Sequence, residues 1–294
     1  MSIFTGSAVA IVTPFNEDKT VNYDTLKELI EFQLDNGTDG IVIAGTTGEV
    51  SVLSDEDQFK VIKFTVDVVN KRVPVIAGAG SNVTSHAIEL AQGAEKQGAD
   101  GLLIVTPYYN KTTQKGLIQH YTAIAESVNI PIILYSVASR TGVNITPSTV
   151  FALSKIKNIV AVKEASGDLS QVAQIAELCG PDFDIYSGND DQTLPMLAVG
   201  AKGVISVLAN IMPQTTHTIC QKFFDGDIAG SRELFLNTLT IANTLFIEVN
   251  PVPVKTAVNL MGYNAGPTVA PLFPIEEANL EKLKTAMRKH NLIK

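Results

Sequence analysis

Cysteine is scarce in this chain of 294 residues, where Cys179 and Cys220 are the only two. Both fall in stretches with helical spacing, and no second pair exists to build a disulfide framework or a thiolate metal site, so both are read as buried thiols. Basic residues are also few. The 22 Lys and Arg stand against 30 Asp and Glu for a net charge of −8, and the cations are scattered. This excludes the continuous positive surface that nucleic acid or an anionic membrane requires. Long apolar runs are missing: between Met1 and Pro14 the run Ala8 to Val12 is too short for a signal peptide or a membrane span, and no basic segment precedes it. A cytoplasmic location is expected. The histidines His86, His120, His217 and His290 are dispersed without the spacing of paired ligands, so neither a metal nor any other cofactor is expected. Gly78-Ala79-Gly80 lacks the third glycine of a dinucleotide fingerprint and reads as the turn after a third strand.

What the chain does have is 45% hydrophobic residues, enough for one large core. Its length suits a barrel of roughly 250 residues with an appendage better than two independent small domains. Short runs rich in Val and Ile recur, each followed by a turn and an amphipathic stretch, which is the pattern of parallel βαβ units. Eight strands are expected, at Ala8–Val12, Gly40–Ala44, Val75–Ala77, Gly101–Val105, Ile132–Tyr135, Ile159–Lys163, Asp184–Tyr186 and Gly203–Ser206. Most lack polar alternation, as strands covered on both faces should. Between them Leu26, Leu29, Ile30 and Leu34 share one helical face, as do Ile88, Ala91 and Ala94. Thr146 before Pro147, and Ser54 before three acidic residues, read as helix starts. The fold class is therefore α/β, a (β/α)₈ TIM barrel over residues 1–225, with a C-terminal helical domain over 226–294. Pro213–Phe224 is the eighth barrel helix, and Ser231–Phe246, Val252–Met261 and Ile275–Lys289 form the appendage. A doubly wound open sheet is the competing topology, but it rarely needs eight units.

In such a barrel the working residues stand at the C-terminal ends of strands. Lys163 ends the run Ile159-Val160-Ala161-Val162-Lys163, where desolvation would lower its pKa toward a nucleophilic amine; a plain pairing with Glu164 or Asp168 at the rim is the alternative. Tyr135 ends the neighbouring fifth strand and is either a proton shuttle or a tyrosine capping the core. Arg140, in the following loop, is either a bidentate clamp for a carboxylate or half of a surface salt bridge. Gly45-Thr46-Thr47-Gly48-Glu49 joins two glycines, which permit close backbone approach, to two hydroxyls able to bind a carboxylate. A plain strand-to-helix turn would need only one glycine.

Taken together, Gly45-Thr46-Thr47-Gly48-Glu49, Tyr108-Tyr109-Asn110, Tyr135 with Ser139-Arg140-Thr141-Gly142, and Val162-Lys163-Glu164-Ala165-Ser166-Gly167 closely resemble the dihydrodipicolinate synthase family, also called 4-hydroxy-tetrahydrodipicolinate synthase. The likeness runs through the whole chain. It implies a class I lyase that condenses pyruvate with L-aspartate 4-semialdehyde in the first committed step of the diaminopimelate route to lysine. It makes Lys163 the Schiff-base lysine and Tyr135 the proton-transfer phenol, with Thr46 linking Tyr135 to Tyr109 reaching in from an adjacent subunit. Thr47 would hold the pyruvate carboxylate, Arg140 the semialdehyde carboxylate, and the main chain near Gly188 and Ile205 would line the pocket. A homotetramer, a dimer of dimers, is implied as well.

Two departures from the family pattern stand out. After Tyr135 the family commonly has Asn, Val and Pro, whereas this chain has Ser136, Val137 and Ala138, which frees the backbone before Arg140. Lysine-inhibited members bind the amino acid at a subunit interface through histidines in the second helix, a glutamate in the third, an asparagine and a tyrosine. Here Asn82 and Tyr108 are kept, but Asp55 and Gln58 stand at the histidine positions and His86 at the glutamate position, so weak or no inhibition by lysine is expected. A related pyruvate aldolase such as N-acetylneuraminate lyase is disfavoured by Thr46 and Arg140. A non-catalytic barrel that senses metabolites would need no buried lysine.

Overall fold

Runs of small and branched apolar residues become eight parallel strands because each is covered twice, by side chains inside the ring and by helices outside it. The structure, a computed structural model, describes residues 2–294. The strands are β1 (Gly6–Ala10), β2 (Gly40–Ile43), β3 (Val75–Gly78), β4 (Gly101–Val105), β5 (Ile132–Ser136), β6 (Ile159–Glu164), β7 (Asp184–Ser187) and β8 (Gly203–Ser206). They close in sequence order into one barrel, with β1 pairing both β2 and β8. This is the TIM barrel, and closure rules out the open doubly wound sheet. The seam between β1 and β8 is tight: a Cβ on Gly203, at φ +154°, would overlap the Gly6 carbonyl.

Around the ring run α1 (Tyr23–Asp35), α2 (Asp55–Val69), α3 (Thr84–Lys96), α4 (Gln114–Glu126), α5 (Ala138–Thr141), α6 (Pro147–Leu153), α7 (Leu169–Cys179), α8 (Thr193–Ala198) and α9 (Pro213–Phe224). The helices α10 (Ile228–Thr244), α11 (Val252–Leu260) and α12 (Glu277–Lys289) follow. Leu26, Leu29 and Ile30 of α1 are buried, and the Ser54 hydroxyl accepts the Asp57 N–H to start α2. Inside the ring Ala8, Val42, Ile76, Leu103, Ile133 and Ala161 form a second cluster separate from the outer core. Its floor is Tyr186, stacked on Phe4 at 4.2 Å and donating from its hydroxyl to the Phe4 carbonyl at 2.8 Å. The barrel is thus packed shut at one end and open at the other.

Several local expectations need correction. The first strand ends at Ala10 rather than Val12, because the Val12 N–H is taken by the Asn210 side chain at 3.0 Å instead of a neighbouring strand. The first appendage helix begins at Ile228, earlier than the Ser231 that hydrophobic spacing indicates, because Asp227 caps α10 by accepting the Gly230 N–H at 2.9 Å. Thr146 precedes α6 as anticipated, but its hydroxyl turns to Gln114 and Thr149 and does not cap. Cys220 is buried, whereas Cys179, in the last turn of α7 before Gly180, is only half-buried.

Candidate active site

Above the Tyr186 floor the C-terminal strand ends open onto a cavity of about 480 Å³. Thr46 and Thr47 enter it from the turn after β2, Tyr135 from β5, Arg140 from α5, Lys163 from β6 and Gly188 from the loop after β7. Strand register assembles the centre: Tyr135 of β5 pairs with Lys163 of β6, so the two side chains meet in the cavity from adjacent strands. Gly188 makes room for the lysine. A Cβ there would lie 2.6 Å from that of Ala165 and 3.1 Å from Lys163 Cε.

Lys163 is 5% exposed. Burial pushes its pKa down to about 8; the nearby Asp190 carboxylate pulls it up and the Arg140 guanidinium pulls it further down. Among the described residues its Nζ makes no hydrogen bond; it lies 4.4 Å from the Tyr135 ring centroid. Neither Glu164 nor Asp168 pairs with it: Glu164 instead accepts from the Ser166 N–H and the Gln171 amide. Tyr135 is pushed up to about 12 by burial, against the opposing pull of Arg140 and of the Thr46 hydroxyl. At neutral pH it is therefore an uncharged phenol beside an amine that titrates near neutrality. Asp190 is held by the Ser206 hydroxyl at 2.5 Å and by the Val207 and Leu208 N–H groups at 3.0 and 2.9 Å. It thereby fixes the loop after β8 that forms the far wall.

Arg140 forms no salt bridge among the described residues; its Nη2 donates to the Asn250 carbonyl at 3.2 Å. The same residue's Nδ2 donates to Thr47 Oγ1 at 3.0 Å. Because Thr47 Oγ1 already accepts, its own hydrogen is free to donate into the cavity. The proline-free loop is not slack: the Arg140 and Thr141 N–H groups both bond the Val137 carbonyl, and Gly142 N bonds Ala138 O at 2.9 Å.

Six of the eight residues singled out in the sequence meet in this cavity. Ile205 lies one step back, buried in β8 within the barrel-lining cluster, and Val207 faces the cavity in its place. Tyr109 stands apart. It is 90% exposed, outside its own chain's cavity lining, with φ +64°, a backbone conformation that costs a residue with a Cβ roughly 1–2 kcal/mol. Sequence reasoning missed Asp190 and Asn250. Asn250 lies between α10 and α11, far along the chain from every motif, and only the sequence Asn250-Pro251-Val252-Pro253 hinted at a fixed entry into a helix.

A sequence profile of the dihydrodipicolinate synthetase family matches residues 3–290. The chain belongs to that family. It is 56% identical over all 294 residues to a Clostridium acetobutylicum protein named 4-hydroxy-tetrahydrodipicolinate synthase 1, with both chains fully covered. Its fold superposes with a TM-score of 0.96, at 43% identity over 98% of this chain and 99% of the other, on the chloride-inhibited dihydrodipicolinate synthase of Acinetobacter baumannii complexed with pyruvate. A monomeric dihydrodipicolinate synthase variant matches at 39% identity and a TM-score of 0.97, over 99% of this chain and 98% of that one. As a family member the chain is a lyase of the class I aldolase type. Among the described residues no helix is long and apolar enough to cross a membrane, and no group of three or more His, Cys, Asp and Glu is placed to hold a metal.

Proposed function

We propose that this chain condenses pyruvate with L-aspartate 4-semialdehyde through a Schiff base on Lys163, giving 4-hydroxy-tetrahydrodipicolinate and opening the diaminopimelate route to lysine. The observation that carries the reading is Lys163 itself, a buried amine at the end of β6 that is poised near 8 without a hydrogen-bond partner. In the reaction its neutral nitrogen adds to the ketone carbon of pyruvate. The resulting hydroxyl leaves as water once protonated, and an iminium remains. Loss of a methyl proton gives an enamine, whose carbon attacks the aldehyde of the second substrate. Attack of that substrate's own amino group on the iminium carbon then closes the ring and frees Lys163.

Each of these steps moves a proton, and the neutral Tyr135 phenol beside Lys163 is the group suited to carry it. Thr46 connects it to Tyr109 of an adjacent subunit. Thr47, with its hydrogen free, and the main chain near Gly188 and Ile205 hold the pyruvate carboxylate, while the Arg140 fork takes the carboxylate of the semialdehyde. The exposed, strained Tyr109 supports a neighbouring subunit at this face, since a residue held at a backbone cost outside its own site suits a neighbour's, and the proposed assembly is a homotetramer built as a dimer of dimers. The cytoplasm is the proposed location. Reduction with borohydride in the presence of pyruvate should add a reduced pyruvyl group at Lys163 alone, read by peptide mass. Labelling of another lysine, or none, would sink the mechanism.

A further inference from the structure

The turn that carries Thr46 and Thr47 is closed on itself by Gly48 N to Gly45 O and Glu49 N to Thr46 O, both at 3.1 Å. It ends in Glu49, whose backbone sits in the left-handed region at φ +52°. Nothing within the turn demands a glutamate there, and glycine would adopt the conformation more easily. The reason for the side chain lies elsewhere in the fold. Glu49 turns away from the cavity into the seam between the barrel and α11, where its Oε1 accepts from Lys255 Nζ at 2.8 Å and its Oε2 from the Val269 N–H at 2.9 Å. Both side chains are 1% exposed, and Lys255 Nζ also lies 4.2 Å from the Phe15 ring centroid.

Lys255 therefore grips one end of the turn, while Asn250, five residues earlier and just before the N-cap of the same helix, grips Thr47 in its middle. Two contacts from one rigid element fix a five-residue turn in both position and rotation. We propose that the buried Glu49–Lys255 ion pair makes Lys255 and Glu49 positioning residues of the carboxylate subsite, locking the Thr46–Thr47 turn onto α11. The inference rests on the reading that Thr47 holds the pyruvate carboxylate. A pair kept for stability alone would gain nothing from this placement, since well-packed uncharged residues serve a buried seam as well or better.

That last point supplies the test. Lys255→Met alone leaves a buried carboxylate without a partner, so the informative variant is Glu49→Gln with Lys255→Met, which removes both charges and keeps the volume. The expected result is a rise of about tenfold in the pyruvate KM that exceeds any fall in kcat, with the semialdehyde KM within about twofold, the pattern of a loosened carboxylate subsite. An unchanged pyruvate KM in a folded double variant overturns the proposal. A second measurement needs no variant: in the wild-type enzyme, saturating pyruvate should slow hydrogen exchange at the Val269 amide, and exchange unchanged there while residues 45–49 become protected also overturns it. Wild-type protein that traps no pyruvate at Lys163 under borohydride would instead refute the reading of the site itself, which keeps the two failures apart.

Discussion

Two regions of this molecule bury a lysine under nearly the same physical conditions but give it different partners. At the barrel mouth Lys163 is 5% exposed, and at the seam with α11 Lys255 is 1% exposed. Desolvation pushes both down from 10.5 to about 8. Each ammonium lies about as far from an aromatic ring, Tyr135 for one and Phe15 for the other. The difference is the partner. Lys255 has the Glu49 carboxylate at 2.8 Å, which pulls its pKa back up and gives its charge a fixed use. Lys163 has no hydrogen-bond acceptor, and the carboxylate that pulls on its charge, Asp190, is already occupied by a hydroxyl and two backbone N–H groups. A buried lysine with a carboxylate is a clamp, and one without is a nucleophile in waiting.

The sharpest way to break that comparison is to remove each amine in turn. Lys163→Met should lower turnover by at least about a thousandfold, because on the proposed mechanism the iminium forms on this nitrogen. The depressed pKa also marks a desolvation cost of about 3 kcal/mol, so the variant should be no less stable than the wild type. Lys255→Met should do the reverse, losing about 3–5 kcal/mol by stranding Glu49. Denaturant unfolding and a coupled assay on both proteins check the pair. A destabilised, partly active Lys163→Met would erase the distinction.

One of these lysines was legible in the sequence and the other was not, for a physical reason. Lys163 ends an apolar strand, and in a closed barrel the strand end alone fixes where a side chain goes, so periodicity plus topology located it. The same logic found Tyr135 and the Thr46–Thr47 turn. Lys255 sits in a helix between apolar neighbours, where an exposed lysine would read identically, and its burial depends on Glu49, which lies 206 positions away. Asn250 and Asp190 were hidden in the same way: Asn250 meets the Arg140 and Thr47 side chains 110 and 203 positions away, and Asp190 is held largely by backbone N–H groups that carry no sequence signal.

Titration separates the regions less drastically. At pH 7 a lysine of pKa about 8 is neutral in roughly a tenth of molecules, against well under a thousandth for an ordinary one. The rate of pyruvate adduct formation should therefore climb close to tenfold per unit below pH 8 and level off above it. The stability sign is also fixed. Both folded-state values are lowered, so between about 8 and 10.5 the unfolded chain binds more protons and stability rises with pH. The cost is fully present below 8 and fades toward 10.5, so the stability advantage of Lys163→Met should shrink over that window. A constant gap in stability between pH 8 and 10 would show that Lys163 is not desolvated in solution.

The smallest expected effect extends the same rule to an amine that is not part of the chain. A free L-lysine at the site used by inhibited relatives would need a carboxylate for its ammonium, as Lys255 needs Glu49. At the glutamate position stands His86, and the one substitute carboxylate, Asp55, is engaged by His86 Nε2 at 3.0 Å. Gln58 is likewise committed, donating to the Gly78 carbonyl at 2.8 Å. A charged contact of this kind is worth about 1.5–3 kcal/mol, and here it would have to displace an existing pair before it could form. The pair is exposed and weak, so the barrier to using Asp55 is modest, but the imidazole it would release stays beside the incoming ammonium. Millimolar L-lysine should thus leave activity nearly unchanged. Inhibition at submillimolar lysine would mean that Asp55 abandons His86 for the ligand, and that an exposed pair yields where the buried Glu49–Lys255 pair does not.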